Sequence, residues 1–192
     1  LGITGWLWQH EHEVHERTLR SSFDFGLRRT AARVEERVAS YEQMLRGVRG
    51  LYDASDEVTA ADFARYVDGL TTGAGFAGLR TIAYAPLQAP GQTAPVTYAA
   101  PATDPIVRAL GQDFLADPLR RAAMLQARDS GSLTITQRLP AAGSSGDAAD
   151  SGFLLFMPLY AKGTALDTVT ARRAHLVGWV FASFLVGDLM SS

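Results

Sequence analysis

The sequence contains no cysteine, a single lysine and no long hydrophobic run. The absence of cysteine excludes disulfides, zinc–thiolate sites and cysteine nucleophiles. No segment approaches the ~20 consecutive apolar residues that a membrane-spanning helix needs. With a formal net charge of −2, nothing in the composition points to nucleic-acid binding, which requires a concentrated basic surface. The 192 residues suffice for one domain, or for two small lobes that share a continuous core.

The first quarter of the chain predicts one long amphipathic helix. There is no proline between about Gln9 and Tyr52, and apolar residues recur there at steps of three or four. A helix of ~40 residues spans ~60 Å, more than a small core can cover. We therefore expect residues 1–52 to form a stalk that pairs with a second copy of the chain; the family resemblance given below implies that this stalk is membrane-proximal. The alternative is a helix that packs only on its own domain.

The rest of the chain predicts shorter helices and strands. Thr59 and Asp62 have the spacing of a capping box at the start of one helix. Asp117-Pro118 predicts the start of another helix, and Ser130-Gly131 predicts its end. A linker is expected over Ala161–Arg173. Strands are predicted at Leu79–Ala85, Val96–Ala99, Ser132–Leu139, Phe153–Tyr160 and in the first part of His175–Leu185. This order is typical of an α+β fold with antiparallel sheets.

No motif in the sequence favours catalysis. There is no GxSxG elbow or phosphate-binding loop, and the GAGFAG at Gly73–Gly78 follows a helix and precedes a strand, the reverse of a dinucleotide fingerprint. His10, His12 and His15 lack the spacing of a known zinc motif, so we interpret them as solvated polar residues. We expect no metal, no cofactor and no enzyme activity in this segment.

The most informative stretch is ALGQDFLADPLRRAAMLQARDSG, from Ala109 to Gly131. It resembles the "LG.D....P.RR.A...A..(S/T)G" pattern of the CHASE domain, the extracytoplasmic sensor of bacterial receptors and plant cytokinin receptors. Other segments resemble the same family in the same order: ADFARYVDGL, LRTIAYAPL, FLLFMPLY and LVGWVFASFLVGDL. Several matches in one order are far more specific than any single match.

The resemblance implies a fold and a role. The fold would be a long stalk helix (1–52) followed by two PAS-like antiparallel lobes within 53–192, a distal ligand lobe at about 79–160 and a proximal lobe completed by 161–192. The segment would be the periplasmic input of a membrane-bound histidine kinase or diguanylate cyclase, cut from between two membrane helices of a bacterial inner-membrane protein. The alternative is a ligand-free dimerisation module or a module that docks a periplasmic protein.

The resemblance also singles out Asp113 as a ligand-binding residue. The matching Asp of plant receptors hydrogen-bonds an adenine ring, so a small planar ligand, at its sharpest an N6-substituted adenine, is implied here. The alternative is that Asp113 binds backbone N–H groups nearby. The expected pocket walls, each of which fits a plain core role as well, are Tyr84, Tyr98, Phe114, Leu133, Thr134, Ile135 and Phe153. Because alternate strand residues point to opposite faces, only half of them can line one pocket.

Overall fold

The computed structural model describes residues 35–72, 76, 78–88, 93–102, 109–137, 139–140 and 151–185. The chain divides into two units, Leu1–Tyr41 and Glu42–Ser192. Of the first unit, the described residues 35–41 are helical. All strands and the helices that follow residue 54 lie in the second unit. The three N-terminal histidines and most of the expected stalk lie outside the described residues.

The helical elements within the described residues include α-helices and a short 3-10 helix. Helix α1 covers residues 35–54. The others are α2 (Ala60–Thr71), the 3-10 helix Phe114–Ala116, α3 (Pro118–Ser130) and α4 (Val169–Ala174). Within the second unit, Leu45 and Val48 of the expected apolar stripe on α1 are fully buried.

The predicted helix signals are confirmed at α2 and α3. The Thr59 hydroxyl accepts from the Asp62 N–H, and the Asp62 carboxylate accepts from the Thr59 N–H, which is the reciprocal capping box. The Asp117 carboxylate accepts from the Arg120 N–H at 2.9 Å, with proline at the first helical position. Gly131 ends α3 at φ 71°, in the left-handed conformation that glycine adopts without strain.

Six antiparallel strands form one sheet in the order β2-β1-β6-β5-β3, with β4 also paired to β5. The strands are β1 (Leu79–Pro86), β2 (Tyr98–Ala100), β3 (Thr134–Ile135), β4 (Leu139–Pro140), β5 (Ser151–Tyr160) and β6 (Leu176–Leu185). The α+β class and the antiparallel pairing are therefore as expected. The long neighbours β5 and β6 pair along their length, from Gly152 opposite Leu185 to Tyr160 opposite Leu176.

Three local expectations are wrong. Residues 161–173 are not all linker, since α4 begins at Val169, where the Thr168 hydroxyl caps the Ala171 N–H at 3.1 Å. The strand expected over Ser132–Leu139 is instead the two short strands β3 and β4. After β3 the Thr136 hydroxyl takes the place of a backbone carbonyl and accepts from the Leu154 N–H at 2.9 Å. The second strand begins at Tyr98 rather than Val96, whose N–H instead donates to the Gln112 carbonyl.

The register assigns side chains to two faces of the sheet. Ala83, Phe156 and Phe181 lie side by side on one face and are fully buried with Met124 and Ala127 of α3; we call this the α3 face. Trp179 on the same face donates its indole N–H to the Met124 carbonyl at 2.9 Å.

The opposite face packs on α2 and the end of α1, and we call it the α2 face. There the ring of Tyr84 lies 4.7 Å from Tyr52 of α1. The ring of Tyr98 lies 5.8 Å from Phe63 of α2. A position on one face is separated from the other by the thickness of the sheet, so the two faces offer separate places for a ligand.

Candidate functional site

Asp113 lies at the N-cap of the 3-10 helix and is half-buried. Its Oδ1 accepts from the Ala94 N–H at 2.8 Å and from the Leu115 N–H at 3.0 Å. The Phe114 N–H donates back to the Ala94 carbonyl at 3.0 Å. Asp113 therefore ties the segment around Ala94 to the start of the 3-10 helix, which is the local backbone role that the sequence left open. Both bonds end on Oδ1, so a ligand donor would meet Oδ2.

The residues beside Asp113 on the α3 face are closely packed. Phe114 is fully buried, with its ring centroid 4.8 Å from that of Phe181 and 6.4 Å from that of Phe156. The Arg120 guanidinium lies 4.4 Å above the Phe114 ring, a cation–π arrangement. Thr134 is buried and pairs with Phe156, which places it on the same face. Phe114 thus adjoins Asp113 in the chain, and Thr134 shares the α3 face with Phe156, the neighbour of Phe114.

The other expected wall residues are placed elsewhere. Tyr84 and Tyr98 pair across β1 and β2 with ring centroids 5.8 Å apart, on the α2 face. Phe153 stacks on Phe184 at 5.5 Å, and the alternation along β5 places it on the α2 face as well. Ile135 pairs with Leu155 and is 44 % exposed, and Leu133 is half-buried before β3. The seven residues therefore do not form one pocket.

Two clefts of the second unit adjoin the end of α1 and the segment that follows it, and Asp113 is not among the described residues that line them. The first, of about 640 Å³, lies between α1 and α2. Two of its polar side chains already have partners within the protein: Arg65 lies 3.3 Å from Asp62, and the Tyr66 hydroxyl donates to the Gly47 carbonyl at 2.9 Å. Glu57 also lines this cleft.

The second cleft, of about 500 Å³, contains two of the expected wall residues. Its aromatic side is Tyr52, Tyr84 and Tyr98, and we call it the tyrosine cleft. The Tyr52 hydroxyl is buried and has no hydrogen-bond partner in the described part of the chain. Sequence reasoning missed Tyr52, because the position read as the last turn of the stalk helix. The one available signal was its proximity to an acidic run, Asp53 to Glu57.

Burial raises the pKa values of two tyrosines in the tyrosine cleft, Tyr52 and Tyr84. It raises the pKa of Tyr52 far above the ordinary value, and the neighbouring Tyr84 and Tyr98 hydroxyls raise it further. Burial and Tyr98 raise the pKa of Tyr84 in the same direction. A raised phenol pKa keeps the neutral, electron-rich ring at every physiological pH. The Tyr52 and Tyr84 side chains of the cleft are therefore neutral, and Tyr52 adds a hydroxyl that can donate or accept.

The comparisons with known proteins identify the family of this chain. Among the described residues, none of the helices combines the length and the apolarity needed to cross a bilayer. A comparison with curated proteins finds no significant match. The model of the CHASE domain matches residues 88–192, which is more than half of the chain and contains Asp113, α3 and strands β2 to β6. The chain therefore belongs to the CHASE family, whose domains are extracellular sensors and not catalysts.

Proposed function

We propose that this domain is the ligand-sensing input of a membrane-bound receptor, exposed to the periplasm of a bacterium. The receptor's output would be a histidine kinase or a diguanylate cyclase. Membership of the CHASE family is the observation that carries the proposal. The absence of any catalytic motif in the sequence agrees with a role in sensing.

The proposed ligand is small, planar and able to donate hydrogen bonds, with an N6-substituted adenine as the sharpest candidate. Asp113 is its proposed polar anchor, because the carboxylate is half-buried and uses Oδ1 alone for the backbone. A charge-assisted bond to such a carboxylate contributes ~1.5–3 kcal/mol. Phe114 and Thr134, on the α3 face, are its proposed walls, together with Leu133 and Ile135 on either side of Thr134 in the sequence.

The proposed signal is a shift between two arrangements of a dimer. Residues 1–52 would form the stalk that pairs two copies, and the second unit would carry the distal and proximal PAS-like lobes. A ligand that binds one arrangement better than the other moves the equilibrium toward it. The stalk and a segment after residue 185 would carry that shift to membrane helices outside this chain.

A thermal-shift screen tests the proposal. The chain is titrated with isopentenyl-type adenines, plain adenine, other purines and small aromatic acids. A ligand at a hundredfold excess over its Kd stabilises the folded state by ~2.7 kcal/mol, which is ~5–11 °C for a protein of this size. The proposal expects a concentration-dependent shift with at least one planar donor. A cooperative melt that no compound shifts would contradict it.

A second function, a dimerisation or protein-docking module without a ligand, is favoured by one observation. The α3 face beside Asp113 is filled by Phe114, Phe156, Trp179 and Phe181, all fully buried. Sedimentation of the chain over a range of concentrations tests it. A dimer that forms without ligand, together with an empty thermal-shift screen, would support this function over the first.

A further inference from the structure

The tyrosine cleft lies apart from Asp113, and much of it precedes the residues that the family model matches. Tyr52 and Tyr84 lie before residue 88 in the sequence. The cleft is bounded by the end of α1, the segment before α2, strands β1 and β2, and the loop after β5. All of these elements belong to the second unit. The cleft can therefore be considered as a site of its own.

The base of the cleft is aromatic. The Tyr52 and Tyr84 rings are 4.7 Å apart and the Tyr84 and Tyr98 rings 5.8 Å apart, each pair tilted by less than 40°. Leu159 and Val177 add apolar surface beside them. Electron-rich rings attract a cation within ~6 Å of a ring centroid, and more strongly where water is excluded. Stacked tyrosines beside apolar side chains are thus a surface suited to an organic cation.

The rim of the cleft is acidic. Among the described residues that line the cleft, Asp53, Asp56 and Glu57 are acidic and Lys162 is basic. Asp53 also lies 3.8 Å from Arg49 of α1, which offsets part of its charge. Two carboxylates then remain for one ammonium. The rim therefore attracts a positive ligand and disfavours an anion.

Lys162 already shows how the rim receives an ammonium group. Its Nζ donates to the Ser55 carbonyl and lies 3.3 Å from a carboxylate oxygen of Asp56. The two side chains of this ion pair are accessible to water: the Lys162 side chain is 44 % exposed and that of Asp56 is fully exposed. Pairs between such exposed groups are weak. A ligand ammonium can thus replace the lysine at the same acceptors.

The geometry points to a second binding site, for a small organic ammonium ion, in the tyrosine cleft. The ammonium binds at the Ser55 carbonyl and the Asp56 carboxylate, and the organic part lies on Tyr84 and Tyr98. Lys162 competes with the ligand, as a built-in occupant of the rim. The site does not depend on the Asp113 ligand, so either can exist without the other.

Calorimetric titration with benzylammonium at pH 7 tests the site, because this probe stays protonated at that pH and carries N–H donors for the two acceptors that Lys162 now uses. Phenylacetate and benzyl alcohol serve as the anionic and neutral controls. We expect the ammonium alone to bind, and its affinity to fall as sodium chloride is added. Binding of phenylacetate in preference to the ammonium would overturn the inference. So would the absence of ammonium binding to both the unmodified chain and Lys162→Met.

Variants of the rim residues should change the affinity for the ammonium ion in opposite directions. Lys162→Met removes the competitor, so it should raise affinity for the ammonium about two- to fivefold, the range of one exposed ion pair. Asp56→Asn should lower affinity by a similar factor. Arg121→Met is the matched control, because it removes one exposed positive charge on α3, and it should leave affinity unchanged. Weaker binding by Lys162→Met would overturn the inference.

One further variant separates this site from the proposed sensor site. Asp113→Asn should leave ammonium binding unchanged, whether or not a planar ligand binds at Asp113. Loss of ammonium binding in a folded Asp113→Asn protein would place the cation at Asp113 and overturn the inference.

Discussion

Asp113 should stabilise the fold whether or not it binds a ligand. Its Oδ1 is the acceptor for two backbone donors, Ala94 and Leu115, at 2.8 and 3.0 Å. Both donor residues are buried, Ala94 completely and Leu115 to 6 % exposure. Asp113→Ala removes the acceptor and leaves two N–H groups without a partner. The protein should therefore be less stable, and the size of the loss follows from those two bonds.

The expected loss is about 2–4 kcal/mol. A buried donor left without its acceptor costs ~1–3 kcal/mol, and the lower half of that range applies because the half-buried Asp113 position lets water approach. A change of 1 kcal/mol moves the Tm of a protein of this size by ~2–4 °C. Asp113→Ala should thus lower the Tm by ~5–15 °C.

Asp113→Asn isolates the acceptor from the charge. An amide oxygen can accept from the same two N–H groups, and only the charge assistance is lost, at about 1 kcal/mol. Asp117→Asn is the matched control, because asparagine caps a helix about as well as aspartate. Its Tm should stay within ~2 °C of the original.

Thermal melts of the three variants, followed by far-UV circular dichroism, measure these differences. Hydrogen exchange at the Ala94 amide is the local readout, and it should quicken in Asp113→Ala alone. An Asp113→Ala protein that melts at the original temperature would show that the two hydrogen bonds to Oδ1 do not stabilise the fold. An Asp113→Asn protein as unstable as Asp113→Ala would show that charge, and not the acceptor position, is what matters.

Two further predictions concern stability away from the site. Gly178→Ala should lower the free energy of unfolding by ~1–3 kcal/mol, because the new Cβ would lie 2.6 Å from the Ala85 carbonyl on the neighbouring strand. Gly50→Ala, which has open space around it in α1, should raise the free energy of unfolding by up to ~1 kcal/mol. Urea melts compare the two variants, and equal effects would contradict the close approach at Gly178. The Arg173 guanidinium beside Asp129 holds the pKa of that carboxyl well below its usual range. The ionised carboxylate therefore stabilises the fold fully when the pH is above the unfolded-state pKa of ~4. This stabilisation is lost as the pH falls from there through the lowered pKa of the folded state. Asp129→Asn should therefore cost ~0.5–1 kcal/mol at pH 7, and its difference from the original should shrink below about pH 4; a difference that grows as the pH falls would contradict this pairing.

The sequence was most informative where a local signal defines an element. The caps at Thr59 and Asp117 and the left-handed Gly131 each depend on residues within a few positions, so their helices could be predicted. The long strands β5 and β6 could be predicted because their apolar runs are continuous and buried on both faces. Helix α4 could not be predicted, since six residues are too few to show a period.

The site was harder to predict because it depends on register. Tyr84 and Phe114 lie on opposite faces of the sheet, and only the pairing of β1 with β6 reveals this. Tyr52 joins Tyr84 through the packing of α1 on the sheet, which no short-range pattern encodes. The sequence alone fits two roles for Asp113, a ligand anchor and an acceptor for nearby backbone N–H groups. In the structure its Oδ1 accepts from the Ala94 N–H. Ligand binding at Oδ2 is a separate proposal, which the titration below tests.

Binding of a planar ligand through Asp113 is tested most directly by calorimetric titration. The best ligand from the thermal-shift screen is titrated into the unmodified chain, Asp113→Asn and Asp117→Asn. Asp113→Asn keeps the backbone acceptor at Oδ1 but places a donor where the ligand needs Oδ2, so it should lose about tenfold or more in affinity, while Asp117→Asn should bind as before. Equal affinity in all three folded proteins would contradict binding through Asp113.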